Sequence, residues 1–191
     1  MAKVEEQLSL LHVPAEDEVS QAVRDVWAKP LEKFGFVPNV LRIFALREEH
    51  LVRWWSYYDE LLRGESGLTK AQREMIAVVV SATNRCHYCL VSHTSALRLL
   101  TGDPILVERV ATDYRVAGLE PRERAMLDFA VKLTADLEAC GEDDVEALRA
   151  AGWSDEDIFD IAQVAAMFNF TNRLAGALAW KPNVEYFSLG R

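Results

Sequence analysis

Cysteine is scarce in this chain, three in 191 residues. That is too few for a disulfide-framed fold, and a chain of this length buries roughly 70% of its unfolded surface without staples. Glycine (nine) and proline (six) are also sparse, and with 50% apolar and 27% charged residues this excludes disordered, collagen-like and mucin-like chains. No uncharged apolar run reaches the length of a membrane span, so none is expected. The opening MAKVEEQLSLLHVPAEDE mixes Glu5 and Glu6 with a short apolar stretch and does not read as a signal peptide, which points to a cytoplasmic chain. Basic residues are in the minority, 21 against 30 acidic, for a net charge of −9. A nucleic acid or an anionic membrane would need a positive face, so neither is an expected partner.

What the chain does have is helical periodicity almost throughout. Residues 18–29 place Val19, Val23, Val26 and Trp27 on one side, and Pro30, Gly35 and Pro38 then punctuate a link. Helices are expected from Pro38 to Arg47, from Glu49 to Arg63 and from Thr69 to Ala82. The third has Gln72 placed to complete a capping box with Thr69, which outweighs the strand reading that β-branched residues 76–81 would otherwise invite. A further helix opens at Cys86 or His87 and ends near Thr101, and Asp103-Pro104 starts a short one to Thr112. Pro121 to Glu138, Asp143 to Ala151, and a long segment from Ser154 to about Trp180 complete the set. Residues 68–80 weakly echo residues 119–131, compatible with a duplicated helical hairpin. The expected fold is all-α, one helical domain over residues 1–191 with a C-terminal tail at 181–191.

The chemistry concentrates between Glu74 and His93. Cys86 and Cys89 enclose two residues and His93 follows four after Cys89, spacings that return to one helix face. Two thiols three apart at a helix start can close a disulfide, and the unpaired N–H groups there favour a thiolate. Glu74, on the preceding helix, can be folded over this stripe by an antiparallel hairpin. A carboxylate beside His93 makes the imidazole a better base and fixes its tautomer. Such a set suits attack on a peroxide oxygen, with a second thiol resolving the sulfenic acid to a disulfide. The same residues leave two other readings open. One is an incidental, packing-only cysteine pair. The other is a zinc site from Cys86, Cys89 and His93 with His87 or Glu74, although three ligands on one helical face strain tetrahedral geometry.

With those residues in view, the sequence resembles the alkylhydroperoxidase D-like proteins of the carboxymuconolactone decarboxylase superfamily, and most of all their peroxidase-related branch. The family pattern is a glutamate, eleven residues, CxxC, three residues and a histidine, met here by Glu74, Cys86, Cys89 and His93. The flanks FGFVPNVLRIFA (34–45), ERAMLDFAVKLT (123–134) and WSDEDIFDIAQVAAMFNFTNRLAGAL (153–178) are similar too, so the resemblance covers most of residues 15–180. It implies an all-helical fold with the CxxC at the start of a central helix, assembled as a trimer or hexamer. It also implies Cys89 as the peroxidatic cysteine, Cys86 as the resolving one, and Glu74 with His93 as the proton relay. Relatives are reduced by an external dithiol, in some cases a lipoyl-bearing protein, and no cofactor or metal is expected. One departure stands out. Those relatives carry a second histidine immediately before the second cysteine, where this chain has Tyr88, with His87 one position earlier. Tyrosine is a poor base but can donate a hydrogen bond to a peroxide or thiolate.

Among the remaining residues, Asn169 and Asn172 lie three apart in the last helix and suit a contact with the active-site helix or a neighbouring subunit. Trp54, Trp55, Tyr57 and Tyr58 cannot share one helix face. Some fill core and the rest line a substrate pocket or, slightly preferred, a subunit contact. Cys140 has no partner in sequence. The expected reaction is reduction of hydrogen peroxide or an organic hydroperoxide through a Cys86–Cys89 disulfide. The alternatives are a disulfide-exchange or redox-sensing module, and a non-catalytic helical oligomer.

Overall fold

The computed structural model describes residues 7–191. Residues 1–6, on which part of the leader reading and the start of the expected domain fall, lie outside the described residues. The described residues contain no strand, and the all-α expectation holds. The helices are α1 (Gln21–Phe34), α2 (Asn39–Phe44), α3 (Glu48–Arg63), α4 (Lys70–Thr83), α5 (His87–Thr101), α6 (Pro104–Asp113), α7 (Pro121–Ala135), α8 (Glu142–Ala150) and α9 (Asp155–Ala177).

Helix α4 is the axis of the molecule. It packs against α5, α7, α9, α6 and α3, and every residue from Met75 to Ser81 is buried. A helix wrapped on all sides must be apolar all round. This explains the β-branched run at 76–81: Ile76, Val78, Val79 and Val80 face different neighbours, each contributing about 1.5–3 kcal/mol on burial. The capping box forms as expected, Thr69 Oγ1 accepting from the Gln72 N–H (3.2 Å) and Gln72 Oε1 from the Thr69 N–H (2.9 Å). Ser154 and Asp157 repeat the arrangement at the start of α9, and Asp103 caps α6 through the N–H groups of Ile105 and Leu106.

Several boundaries differ from the periodic pattern. Pro30 does not end α1 but is buried inside it, and the helix runs on to Phe34, where Gly35 closes it in the left-handed region at φ 79°. Proline in a helix interior forfeits one backbone bond and strains the turn before it. The buried contacts of Trp27 and Pro30 offset this. The expected Pro38–Arg47 helix is α2 followed by a 3-10 turn at Ala45–Arg47. Likewise α7 stops at Ala135, with Leu137–Ala139 a 3-10 turn, and α9 stops at Ala177 because Ala179 turns left-handed at φ 50°.

The two ends of the described chain meet. The Leu10 N–H donates to the Leu178 carbonyl (2.9 Å) and the Lys181 N–H to the Leu8 carbonyl (3.0 Å). Asn183, buried, accepts from the Asn39 N–H at 2.7 Å and donates to the Val37 carbonyl at 3.1 Å. Arg98, also buried, donates to the carbonyls of Tyr186 (3.0 Å) and Leu189 (3.1 Å). Residues 181–191 are thereby held against the start of α2 and against α5. No described helix is long and apolar enough to cross a membrane.

Candidate active site

The turn between α4 and α5 sets the cysteines. Asn84 ends α4 and Arg85 takes a left-handed conformation at φ 53°. The Cys86 N–H then reaches back to the Ser81 carbonyl at 2.9 Å, the closing bond of a Schellman motif. Cys86 is at the same time the N-cap of α5, its carbonyl accepting from the Leu90 N–H at 2.9 Å. One residue thus ends one helix and starts the next, and Cys89 lies in the first turn of α5. Both thiols are free and buried, at 4% and 3% exposure.

The hairpin brings Glu74 over the same face. His93 Nδ1 lies 2.6 Å from Glu74 Oε2, with both side chains only 12% exposed. A carboxylate can only accept, so Nδ1 carries the hydrogen and Nε2 is left as the working nitrogen. Nε2 has no protein partner among the described residues. The Phe168 ring meets the imidazole edge-on at 4.5 Å and fixes its plane.

The two thiols act as a unit. Cys86 is lowered to about 7, first by the hydrogen bond from the Cys89 thiol, then by the backbone N–H groups of Cys89 and Tyr88 and by His93; burial opposes these. Cys89 moves well upward, because it supplies that hydrogen bond and is more deeply desolvated, while Asn172 and Thr171 favour its thiolate. Of the pair, Cys86, at the helix N-terminus, is the one whose thiolate the fold favours.

A cavity of about 120 Å³ opens onto this face. Cys89, His93, Glu74 and Tyr88 stand on its wall; Cys86 and His87 do not. His87 is exposed, its nearest aromatic being Phe187 at 6.3 Å. Tyr88 is buried, and its hydroxyl accepts from the Val40 N–H at 2.8 Å, tying the start of α2 to the cysteine helix. Burial raises its pKa well above the usual value, so it remains a neutral phenol.

Asn169 and Asn172 meet behind the cysteine turn. The Asn84 amide donates to both, at 2.9 and 3.0 Å; Asn172 donates to Ser81 (3.1 Å) and Asn169 to Thr134 (2.9 Å). These bonds pin α9 and α7 to the turn that carries Cys86. The aromatic cluster of α3 divides: Trp54, Trp55 and Tyr58 line the cavity, while Tyr57 faces out and donates to Gln163. Sequence reasoning missed Thr171, Trp180 and Tyr186, all on the cavity wall. Trp180 is set by the left-handed turn at Ala179 that closes α9, its N–H on the Ala175 carbonyl at 3.0 Å; Tyr186 carries no local motif, and only the anchoring of residues 181–191 brings it back. Among the described residues, no three His, Cys, Asp or Glu side chains are grouped to hold a metal ion.

Comparison with known proteins agrees with this geometry. Residues 49–100 match the model of the carboxymuconolactone decarboxylase family. The chain is 44% identical to a peroxidase-related protein from Silicibacter sp. TM1040, with all of both chains covered and a TM-score of 0.93. It is 40% identical to the alkylhydroperoxidase AhpD core from Ralstonia eutropha JMP134, a peroxidase-related protein, over 97% of each chain and again with a TM-score of 0.93. An alkyl hydroperoxide reductase of Mycobacterium tuberculosis matches at 32% identity over 77 residues, 40% of this chain but 22% of that protein's length. The chain belongs to the AhpD-like proteins of the carboxymuconolactone decarboxylase superfamily, in their peroxidase-related branch.

Proposed function

We propose that the chain is a cysteine-based peroxidase that reduces hydroperoxides through a Cys86–Cys89 disulfide cycle. The observation that carries this reading is the shared cavity wall, Cys89 with the Glu74–His93 pair at 2.6 Å, and a second thiol one helical turn back at the N-cap of α5. Cys89 is the attacking sulfur because it faces the cavity and Cys86 does not. Its proton passes to the Cys86 thiolate or to His93 Nε2, and the Cys89 thiolate attacks the terminal peroxide oxygen. The O–O bond breaks, RO⁻ takes a proton and leaves as ROH, and Cys89 becomes a sulfenic acid. The Cys86 thiolate then displaces hydroxide, which takes a proton from solvent and leaves as water, and the disulfide closes. An external dithiol, such as a lipoyl group on a protein, restores both thiols. The family relationship supports assembly as a homo-oligomer, a trimer or hexamer, working in the cytoplasm.

The test is the mass of the reduced protein after one equivalent of cumene hydroperoxide, followed by peptide mapping. A loss of about two daltons confined to the Cys86–Cys89 peptide, the hydrogen count of disulfide formation, is the expected result. Unchanged mass with both thiols still alkylatable refutes the peroxidase reading. One observation favours a second reading, disulfide exchange without peroxide turnover. The first cysteine has the lowered pKa and the second the raised one, the polarity of an exchange dithiol. Rapid reaction with lipoamide disulfide beside inertness to hydroperoxide would select it.

A further inference from the structure

Of the chain's five tyrosines, three have hydroxyl partners: Tyr57 donates to Gln163, Tyr114 donates to Asp128, and Tyr88 accepts from Val40. The other two, Tyr58 and Tyr186, both stand on the cavity wall, and neither hydroxyl has a partner among the described residues. Tyr58 is 9% exposed, yet its hydroxyl is not among the buried unpaired atoms, so what accessible surface it keeps opens to the cavity. Trp180 on the same wall adds the one buried unpaired side-chain polar atom among the described residues, its Nε1 having no acceptor.

The hydroxyls are placed by bonds elsewhere in the chain. Tyr58 comes from α3, its ring against Trp54 at 4.9 Å and Trp55 at 5.5 Å. Tyr186 comes from the C-terminal segment, held by Arg98 on its carbonyl and by the Phe36 ring at 5.3 Å. Two phenols from distant parts of the chain thus reach the cavity that presents Cys89. Burial, reinforced by the Glu74 carboxylate, keeps both protonated, so they can only serve as donors or weak acceptors there.

We propose that the Tyr58 and Tyr186 hydroxyls are substrate-binding donors that hold the leaving oxygen of the hydroperoxide while Cys89 attacks. This rests on the peroxidase reading. As the S–O bond forms and the O–O bond breaks, the electron pair moves onto the RO oxygen. The two phenol hydrogens stabilise that charge, as preorganised donors do. The imidazolium of His93, having taken the Cys89 proton, completes ROH, and both phenols end as they began.

The test uses Tyr58→Phe, Tyr186→Phe and the double variant in the full chain. Neither hydroxyl bonds to protein, so melting temperatures should stay at the wild-type value. The rate of disulfide formation with cumene hydroperoxide should fall about tenfold for each hydroxyl removed. Reaction with an aromatic disulfide reagent, which has no leaving oxygen, should stay within about twofold, since no bond of the kind removed is made. A double variant as fast as wild type toward hydroperoxide overturns the proposal, as does an equal loss toward both reagents. If the wild-type protein proves inert to hydroperoxide, the peroxidase reading fails by itself. Calorimetry with the unreactive product alcohol, 2-phenylpropan-2-ol, then reads the donors directly. Binding weakened about tenfold in the double variant sustains them, and equal or absent binding in both proteins overturns them.

Discussion

Reduced protein should become more stable as pH rises through neutrality, and Cys86 should be the reason. Its thiol is lowered to about 7 in the fold, against about 8.5 in an unfolded chain. A depressed pKa adds stability that is fully present above the unfolded value and is lost as pH falls through the folded one. Between these two values the gain from about pH 6 to about pH 8 is about 1 kcal/mol after partial screening by solvent. Cys89 has the opposite sign: its raised pKa means that the unfolded state ionises first, so stability declines again above about pH 8.5. The reduced protein should therefore show a maximum between about 7 and 8.5, which the disulfide form lacks because it has neither thiol to titrate. The control is Cys86→Ser, which preserves a good N-cap and removes the titration. Melting followed under a phosphine reductant should rise about 2–4 °C from the lower to the higher pH, relative to the variant. A parallel ultraviolet titration should show one thiolate appearing with a midpoint near 7, absent in Cys86→Ser. A midpoint at the unperturbed value, or identical pH slopes for the two proteins, would refute the assignment of the charge to Cys86.

Glu74→Gln keeps an acceptor near His93 but removes the charge. It should slow peroxide-driven disulfide formation at least about tenfold, measured by stopped-flow tryptophan fluorescence, and an unchanged rate would remove Glu74 from the relay. Arg85→Gly relieves a left-handed arginine. It should add up to about 1 kcal/mol in guanidinium unfolding, whereas a loss would show that the arginine side chain matters more than its backbone. Arg73 is buried and donates to the carbonyls of Leu61, Gly64 and Leu68, at 2.9 to 3.2 Å. Arg73→Met strips these acceptors of their donor and should cost at least about 3 kcal/mol in urea; a loss below about 1 kcal/mol would mean that water replaces the guanidinium without penalty.

Local spacing carried much of the site. Cys86, Cys89 and His93 lie on one helix within two turns, and Glu74 needed only a hairpin to reach them, so a period of 3.6 sufficed. Capping residues likewise placed the start of α4 and of α9. Pro30 misled because local rules treat an interior proline as a stop, while burial of Trp27 and Pro30 carried the helix on to Phe34. The α3 aromatics were visible as a cluster, but only the packing of α9 and the returning C-terminal segment decides that Tyr58 faces a cavity and Tyr57 does not. Tyr186 and Trp180 were beyond such reasoning. Tyr186 returns to the cavity only because Asn39 meets Asn183 across 144 residues, and nothing in its spacing encodes that meeting.

Tyr88 shows how a departure from a family pattern can be absorbed. Where relatives place a histidine, this chain uses the phenol oxygen to accept the Val40 N–H at 2.8 Å, which makes Tyr88 a strut between α2 and α5. The proton work then falls on fewer groups. In the proposed reaction the Cys89 proton has two places to go, the sulfur of Cys86 one turn back and His93 Nε2. Transfer to Cys86 merely moves the proton from one sulfur to the other and leaves His93 free. The imidazole then enters the step without the proton that the leaving oxygen needs. Transfer to His93 loads it with that proton while Cys86 stays ionised, ready to resolve the sulfenic acid. The second route uses every group in the state in which the fold holds it, and it makes the Glu74 contact at Nδ1 decisive, because that contact stabilises the imidazolium during the transfer. In that proposed route the order of the two cysteines follows from the same placement: the sulfur with the favoured thiolate, Cys86, would wait behind, and Cys89, on the cavity wall, would meet the peroxide.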